Sequence, residues 1–149
     1  MRRTALLAIA AATVLAACTS IGPQSAPVPS MERAEQYAQD GRHEDAARLF
    51  EARAATAPGP SAGDLRLRAA REWLAARRPD EAERALAAAR STAGTALAFE
   101  SRLIEVELKL ARGDGQRAWA DLGSLSQPAA GPAAARYFEV RERAAFATG

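Results

Sequence analysis

The sequence predicts an all-α fold built from repeated helical hairpins. From Met31 onward the chain is rich in alanine, leucine, arginine and glutamate, which are strong helix formers. The alternation of β-branched and aromatic residues that is typical of strands is missing there. Glycines and prolines divide the region into segments of about 10 to 17 residues joined by short turns. A sequence motif also recurs along these segments at a constant interval.

The recurring motif is an alanine followed four residues later by a bulky apolar residue. It occurs as Ala46-x3-Phe50, Ala82-x3-Leu86 and Ala118-x3-Leu122, at intervals of 36 residues. Tyr37 and Trp73 are also 36 residues apart, in the segment that precedes the motif. Small alanines let two helices approach closely, and the bulky residue one turn later fills the groove of a neighbouring pair.

This repeat resembles the tetratricopeptide pattern, a helix-turn-helix unit of about 34 residues whose second half reads A-x3-F…P. Ala46, Phe50 and Pro58 reproduce that half. The first halves fit less well, because in the third unit the aromatic position of the first helix falls on Lys109. We therefore expect residues 31–149 to form tetratricopeptide-like hairpins in a short right-handed solenoid of seven helices. The last helix, predicted over Ala133–Ala147, is either a polar cap or the first half of a fourth pair.

The N-terminus predicts a bacterial lipoprotein. Charged Met1-Arg2-Arg3, an apolar run from Thr4 to Val14 and the small residues before Cys18 form a signal peptide over residues 1–17. The thiol of Cys18 would carry the lipid that anchors the chain to the membrane. The alternative is an ordinary secretory signal. Residues 18–30, rich in proline, read as a tether, and Thr19 in place of aspartate favours the periplasmic face of the outer membrane.

Charge and residue content argue against a nucleic-acid ligand and against catalysis. The chain has 20 basic and 18 acidic side chains, but Arg2 and Arg3 leave with the signal peptide, so the pI near 9.2 does not indicate nucleic-acid binding. His43 is the only histidine and is predicted to be a solvated turn residue. The segment Gly113-Asp114-Gly115 reads as a helix end and turn. We expect no enzymatic activity, no metal and no cofactor, and a protein partner.

Several further residues have two interpretations. Trp73 and Trp119 fall where core packing is expected rather than ligand stacking. The segment Leu97–Ala111, apolar on more than one face, is predicted to be a central helix contacted on both sides. One group of arginines indicates either a solvated helix face or an anionic partner: Arg66, Arg68, Arg71, Arg77 and Arg78.

Candidate partner-binding positions come from aligning the repeats. The first helix of each tetratricopeptide pair lines the concave surface, and the alignment places Glu35, Arg71 and Glu107 at equivalent positions. We expect these three side chains to be exposed in a groove. Their alternating charge suits a peptide or a partner helix better than a polyanion.

The stretches Leu103–Leu125 and Ala135–Gly149 resemble the penicillin-binding protein activator lipoproteins, the LppC/LpoA family. This resemblance implies a lipobox, a proline-rich tether and a tetratricopeptide-like domain in an outer-membrane lipoprotein that stimulates a bifunctional peptidoglycan synthase. Family members continue into an α/β domain, which is not part of this chain. The chain is therefore either an N-terminal piece or a shortened homologue. The competing interpretation is a tetratricopeptide lipoprotein that serves outer-membrane protein assembly or pilus biogenesis.

Overall fold

The computed structural model describes residues 30–92 and 97–149, and all regular structure in these ranges is helical. The all-α prediction and the number of seven helices are confirmed for this part of the chain. The signal peptide, Cys18 and all of the tether except Ser30 lie outside the described residues. The helices are α1 (Met31–Gln39), α2 (His43–Ala54), α3 (Gly59–Ala75), α4 (Pro79–Arg90), α5 (Ala98–Ala111), α6 (Gly115–Gly123) and α7 (Pro132–Ala147).

The turns inside the first three hairpins share one conformation. Each contains a residue with positive φ: 73° at Gly41, 59° at Arg77 and 80° at Gly113. The following N–H groups, of Arg42, Arg78 and Asp114, donate to the carbonyls of Tyr37, Trp73 and Lys109 at 2.8, 2.8 and 2.9 Å. This is the Schellman arrangement that ends a helix. It recurs every 36 residues, so the sequence interval is also a structural interval.

The repeated motif lies where close helix packing needs it. Ala46, Ala82 and Ala118 have no exposed surface, and the bulky residues one turn later are also buried. Consecutive helices pack against each other, and α5 contacts α3, α4, α6 and α7. The prediction of a central helix contacted on both sides is confirmed.

The buried apolar residues form two clusters that meet at α5. The larger cluster joins α1 to α4 and includes Ile104 and Leu108 of α5. The smaller cluster joins α6 and α7 and includes Leu103 and Val106 of α5. Side chains from opposite faces of one helix therefore belong to different cores.

Trp119 is a correction to the predicted core. Trp73 is 5% exposed as expected, but Trp119 is 40% exposed. The inner face of α6 presents Gly115, Ala118 and Leu122, and Trp119 lies one residue, about 100° around the helix, beyond Ala118.

The interpretation of α7 as a polar cap is also incomplete. Phe138 and Phe146 on this helix are 41% and 91% exposed. With Trp119, they are the large exposed hydrophobic side chains of the described residues, and all three lie on α6 or α7. The outer side of the last two helices is therefore partly apolar.

Candidate functional site

A groove runs along the first helices of the repeat in the described residues. One part, of about 810 Å³, is lined by α1 and by the N-terminal halves of α3, α5 and α7. The adjoining part, of about 650 Å³, is lined mainly by their C-terminal halves. The two parts share Arg71, Glu72, Arg136 and Glu139. Together they form one channel that follows the helix axes, which we call the groove.

A network of charged side chains crosses the middle of the groove. Arg136 of α7 donates to the carboxylates of Glu100 and Glu107 on α5. Its side chain is only 14% exposed. Arg71 of α3 lies 3.6 Å from Glu100, and Arg143 of α7 lies 3.8 Å from Glu107. Three helices are therefore tied together by three guanidinium groups and two carboxylates.

The network is satisfied by its own members. Among the described residues, no buried side-chain nitrogen or oxygen lacks a hydrogen-bond partner. Removing one member of a buried ion pair leaves an uncompensated charge, which costs about 3–5 kcal/mol. The network therefore positions α7 against α5, and the same residues form the floor of the groove.

The three predicted groove positions have different outcomes. Glu35 and Arg71 are exposed and line the groove, as expected. Glu107 also lines it, but the residue is only 9% exposed, so the prediction of an exposed position is wrong there. The reason is that α7 packs on this side of α5 and brings Arg136 and Arg143 to the carboxylate.

The arginines around the second unit are mostly occupied by neighbouring groups. Arg68 bonds Glu35 at 3.2 Å and Asp64 at 3.0 Å. Arg66 donates to the hydroxyl of Thr92, and Arg78 contacts Glu44 and Glu81. In the described residues Arg77 has no carboxylate within ion-pair distance. The guanidinium groups thus serve mainly as links between helices, which weakens the case for a large anionic ligand.

His43 is a second correction. It is the first residue of α2 rather than a turn residue, and its Nδ1 lies 2.8 Å from Oε2 of Glu72. Its side chain is 34% exposed and lines the second part of the groove. Asp114, expected to belong to a simple turn, also caps α6 by accepting a hydrogen bond from the N–H of Arg117 at 3.3 Å. The described residues contain no group of side chains suited to holding a metal ion.

Two further arginines join hairpins outside the groove, and each lowers the pKa of a carboxylate that it contacts. Arg112, which ends α5, lies 2.7 Å from Glu83 and 3.1 Å from Asp80 on α4. The hydrogen bond and the positive charge of Arg112 lower the pKa of Glu83 below its ordinary value. A hydrogen bond from Arg78 is the main cause of the lowered pKa of Glu81.

Sequence reasoning missed Glu100, Arg136 and Arg143 as groove residues. A signal for them was available in the same interval, because Glu107 and Arg143 are 36 residues apart, as are Glu100 and Arg136. Continuing the alignment into α7 places both arginines on the groove side. In the structure each of these pairs is in contact.

Comparison of the chain with family models, with curated proteins and with solved structures finds no match. Among the helices of residues 30–92 and 97–149, none has the length and apolar character needed to cross a membrane.

Proposed function

We propose that this chain is a lipid-anchored scaffold that binds a protein partner through the groove. In this proposal the hairpins form a short right-handed solenoid of the tetratricopeptide type. The recurrence of one turn conformation at Gly41, Arg77 and Gly113 supports such an arrangement. The order of charged, apolar and small residues before Cys18 supports the anchor.

The observation that carries the binding role is the composition of the groove. Its first part combines partly exposed apolar residues such as Ala38 and Leu97 with charges of both signs. Mixed charge beside apolar surface suits a polypeptide, which offers both kinds of side chain. We propose a binding role and not an enzymatic one, because most of the ionisable groups at the groove centre are paired with a neighbour, as Arg136 is with Glu100 and Glu107 and as Glu72 is with His43.

The resemblance to the penicillin-binding protein activators suggests which partner to test first. In this version of the proposal the chain lies at the periplasmic face of the outer membrane and contacts a bifunctional peptidoglycan synthase. The alternative is a scaffold for another envelope assembly machine. A reading frame that continues past Gly149 into an α/β domain would favour the activator family.

Arg71→Glu tests the groove. Arg71 is exposed and lines both parts of the groove, and within the described ranges its single ion pair is a long one, to Glu100. We expect the change to reduce capture of the partner from detergent-solubilised envelopes while the helical circular dichroism signal stays the same. Glu107 is unsuitable for this test because it is buried and paired.

The matched control is Arg84→Glu. It makes the same change of charge on α4, where the side chain is 77% exposed and outside the groove. Capture that is lost in both variants, or kept in both, would contradict a specific role of the groove. The candidate synthase should be identified by cross-linking to the wild-type chain.

Cys18→Ala tests the anchor separately. The variant should no longer incorporate labelled palmitate and should leave the membrane fraction, because Cys18 is the only cysteine of the sequence and lipidation begins at its thiol. Unchanged labelling would refute the lipoprotein assignment while leaving the groove proposal intact.

A further inference from the structure

The two ends of the groove differ in charge. Three arginines and five carboxylates line the first part, whereas four arginines and three carboxylates line the second. At the first end Glu35 and Asp64 share a single guanidinium, that of Arg68. Both acidic side chains are about half exposed, at 51% and 48%. This end therefore presents negative charge to the groove.

The opposite end presents positive charge. Arg77 follows α3 and has no carboxylate within ion-pair distance in the described part of the chain. Arg143 of α7 is 51% exposed, and its nearest carboxylate, Glu107 at 3.8 Å, is already bonded to Arg136. Arg77 and Arg143 line the same part of the groove. The groove is thus polarised along its length, from α1 and the start of α3 towards the end of α3.

The dimensions of the groove indicate an extended chain. The helix α3 has 17 residues, so its length is about 25 Å, which corresponds to about eight residues of extended polypeptide. A helix of the same length and about 10 Å diameter would occupy roughly 2,000 Å³. The two parts of the groove have volumes of about 810 and 650 Å³ and share residues, so a helix of this length would protrude from the groove, whereas a narrower extended chain can lie within it.

We propose that the groove binds an extended segment of a partner protein in one orientation, with basic side chains against Glu35 and Asp64 and acidic side chains against Arg77 and Arg143. Between these ends, small apolar side chains of the segment face Leu97 and Leu74. This inference rests on the proposed function and adds to it the chemistry and the direction of the bound segment.

A blocked synthetic octapeptide tests the orientation. It consists of two lysines, four alternating alanines and leucines, and two glutamates, with a nitroxide label at the glutamate end. The labelled peptide is added to the full chain carrying Cys18→Ser in non-ionic detergent, and backbone amide resonances are followed by NMR. The label should broaden the amides of Arg77 and Arg143 and should leave those of Glu35 and Asp64 sharp.

Charge-reversed variants provide the second measurement. Arg77→Glu combined with Arg143→Glu should weaken peptide binding about threefold to tenfold at low salt, because each exposed charge pair contributes about 0.2–1 kcal/mol. Arg84→Glu should leave the affinity unchanged. Adding Glu35→Lys and Asp64→Lys to the double variant should reverse the peptide, so that the label broadens residues 35 and 64 instead.

The possible outcomes separate this inference from the proposed function. A peptide that binds in the groove but broadens both ends equally would overturn the orientation and leave the groove as a binding surface. A peptide that perturbs no groove amide at millimolar concentration would overturn the orientation and count against the groove itself. Circular dichroism of each variant confirms that the helices are retained.

Discussion

Arg77 takes a backbone conformation that suits glycine. Gly41 and Gly113 occupy the equivalent position in the other two turns, and all three residues have φ between 59° and 80°. A side chain in this left-handed region costs about 1–2 kcal/mol because Cβ approaches the following carbonyl oxygen. The second turn therefore contains strain that the first and third lack.

Replacing Arg77 by glycine should stabilise the protein. We expect Arg77→Gly to raise the free energy of unfolding by up to about 1 kcal/mol, since the relief of strain exceeds the greater entropy of glycine in the unfolded chain. Urea denaturation measures the change. The reverse substitution, Gly113→Arg, is the matched control and should lower stability by a similar amount. A destabilised Arg77→Gly would mean that the arginine side chain makes contacts that outweigh the backbone strain.

At the scale of helices, α6 and α7 approach so closely that a glycine is required. A Cβ atom on Gly115 would lie 2.5 Å from the backbone oxygen of Ala147. Because the contacted atom belongs to the backbone of Ala147, it cannot rotate away as the end of a flexible side chain can. The start of α6 is therefore fixed against the end of α7 by the absence of a side chain.

Two glycines of α6 allow a controlled test of this contact. Gly115→Ala should destabilise the protein by about 1–3 kcal/mol, the usual cost of overpacking. Gly123→Ala, where the new methyl group meets nothing within 4 Å, should be neutral or stabilising by up to about 1 kcal/mol. Thermal melting of both variants gives the comparison. Equal changes in melting temperature for the two variants would show that α7 can move away from a side chain at residue 115 without a loss of stability.

The ion pairs that join α4 to the end of α5 should contribute to acid sensitivity. Glu83 has a lowered pKa because it pairs with Arg112. The contribution of Glu83 to the free energy of unfolding is present above the ordinary carboxyl pKa of about 4.5. It is lost as the pH falls through the lowered pKa of the folded state. We expect Glu83→Gln to be less stable than the wild type at pH 7 and to approach it below pH 4 in urea denaturation.

Glu142→Gln is the control for this pH dependence. Glu142 is exposed on α7 and has no ion pair among the described residues, so this variant should follow the wild-type pH profile. If Glu83→Gln also keeps the full acid sensitivity of the wild type, the link between Arg112 and Glu83 does not contribute to stability.

The helices and hairpin turns could be predicted because their signals are local. Ala82 and Leu86 mark a buried stripe, and glycine marks the end of α1 and of α5. The charge network could not be predicted in the same way, because the burial of Glu107 depends on where α7 packs, far along the chain. The exposure of Trp119, by contrast, follows from a local signal, because Ala118 and Leu122 mark the buried side of α6 and Trp119 lies one residue beyond Ala118.

The two apolar clusters differ in size. The larger contains sixteen buried residues and the smaller eight, and both draw on α5. Less buried apolar surface means a smaller free energy of local opening. We therefore expect amide hydrogen exchange of the full chain to show lower protection in α6 and α7 than in α2 to α4. Equal protection throughout would indicate a single cooperative unit despite the divided core.

The divided core has a consequence for any partner that lies in the groove. One wall of the groove, α7, belongs to the weaker unit, and the opposite wall, α1, belongs to the stronger one. A ligand that needs both walls binds only when α6 and α7 are closed. At 100 times its dissociation constant it would oppose their opening by about 2.7 kcal/mol. Occupancy of the groove would thus couple the two units, so that α6 and α7 would unfold together with the rest of the protein instead of opening separately.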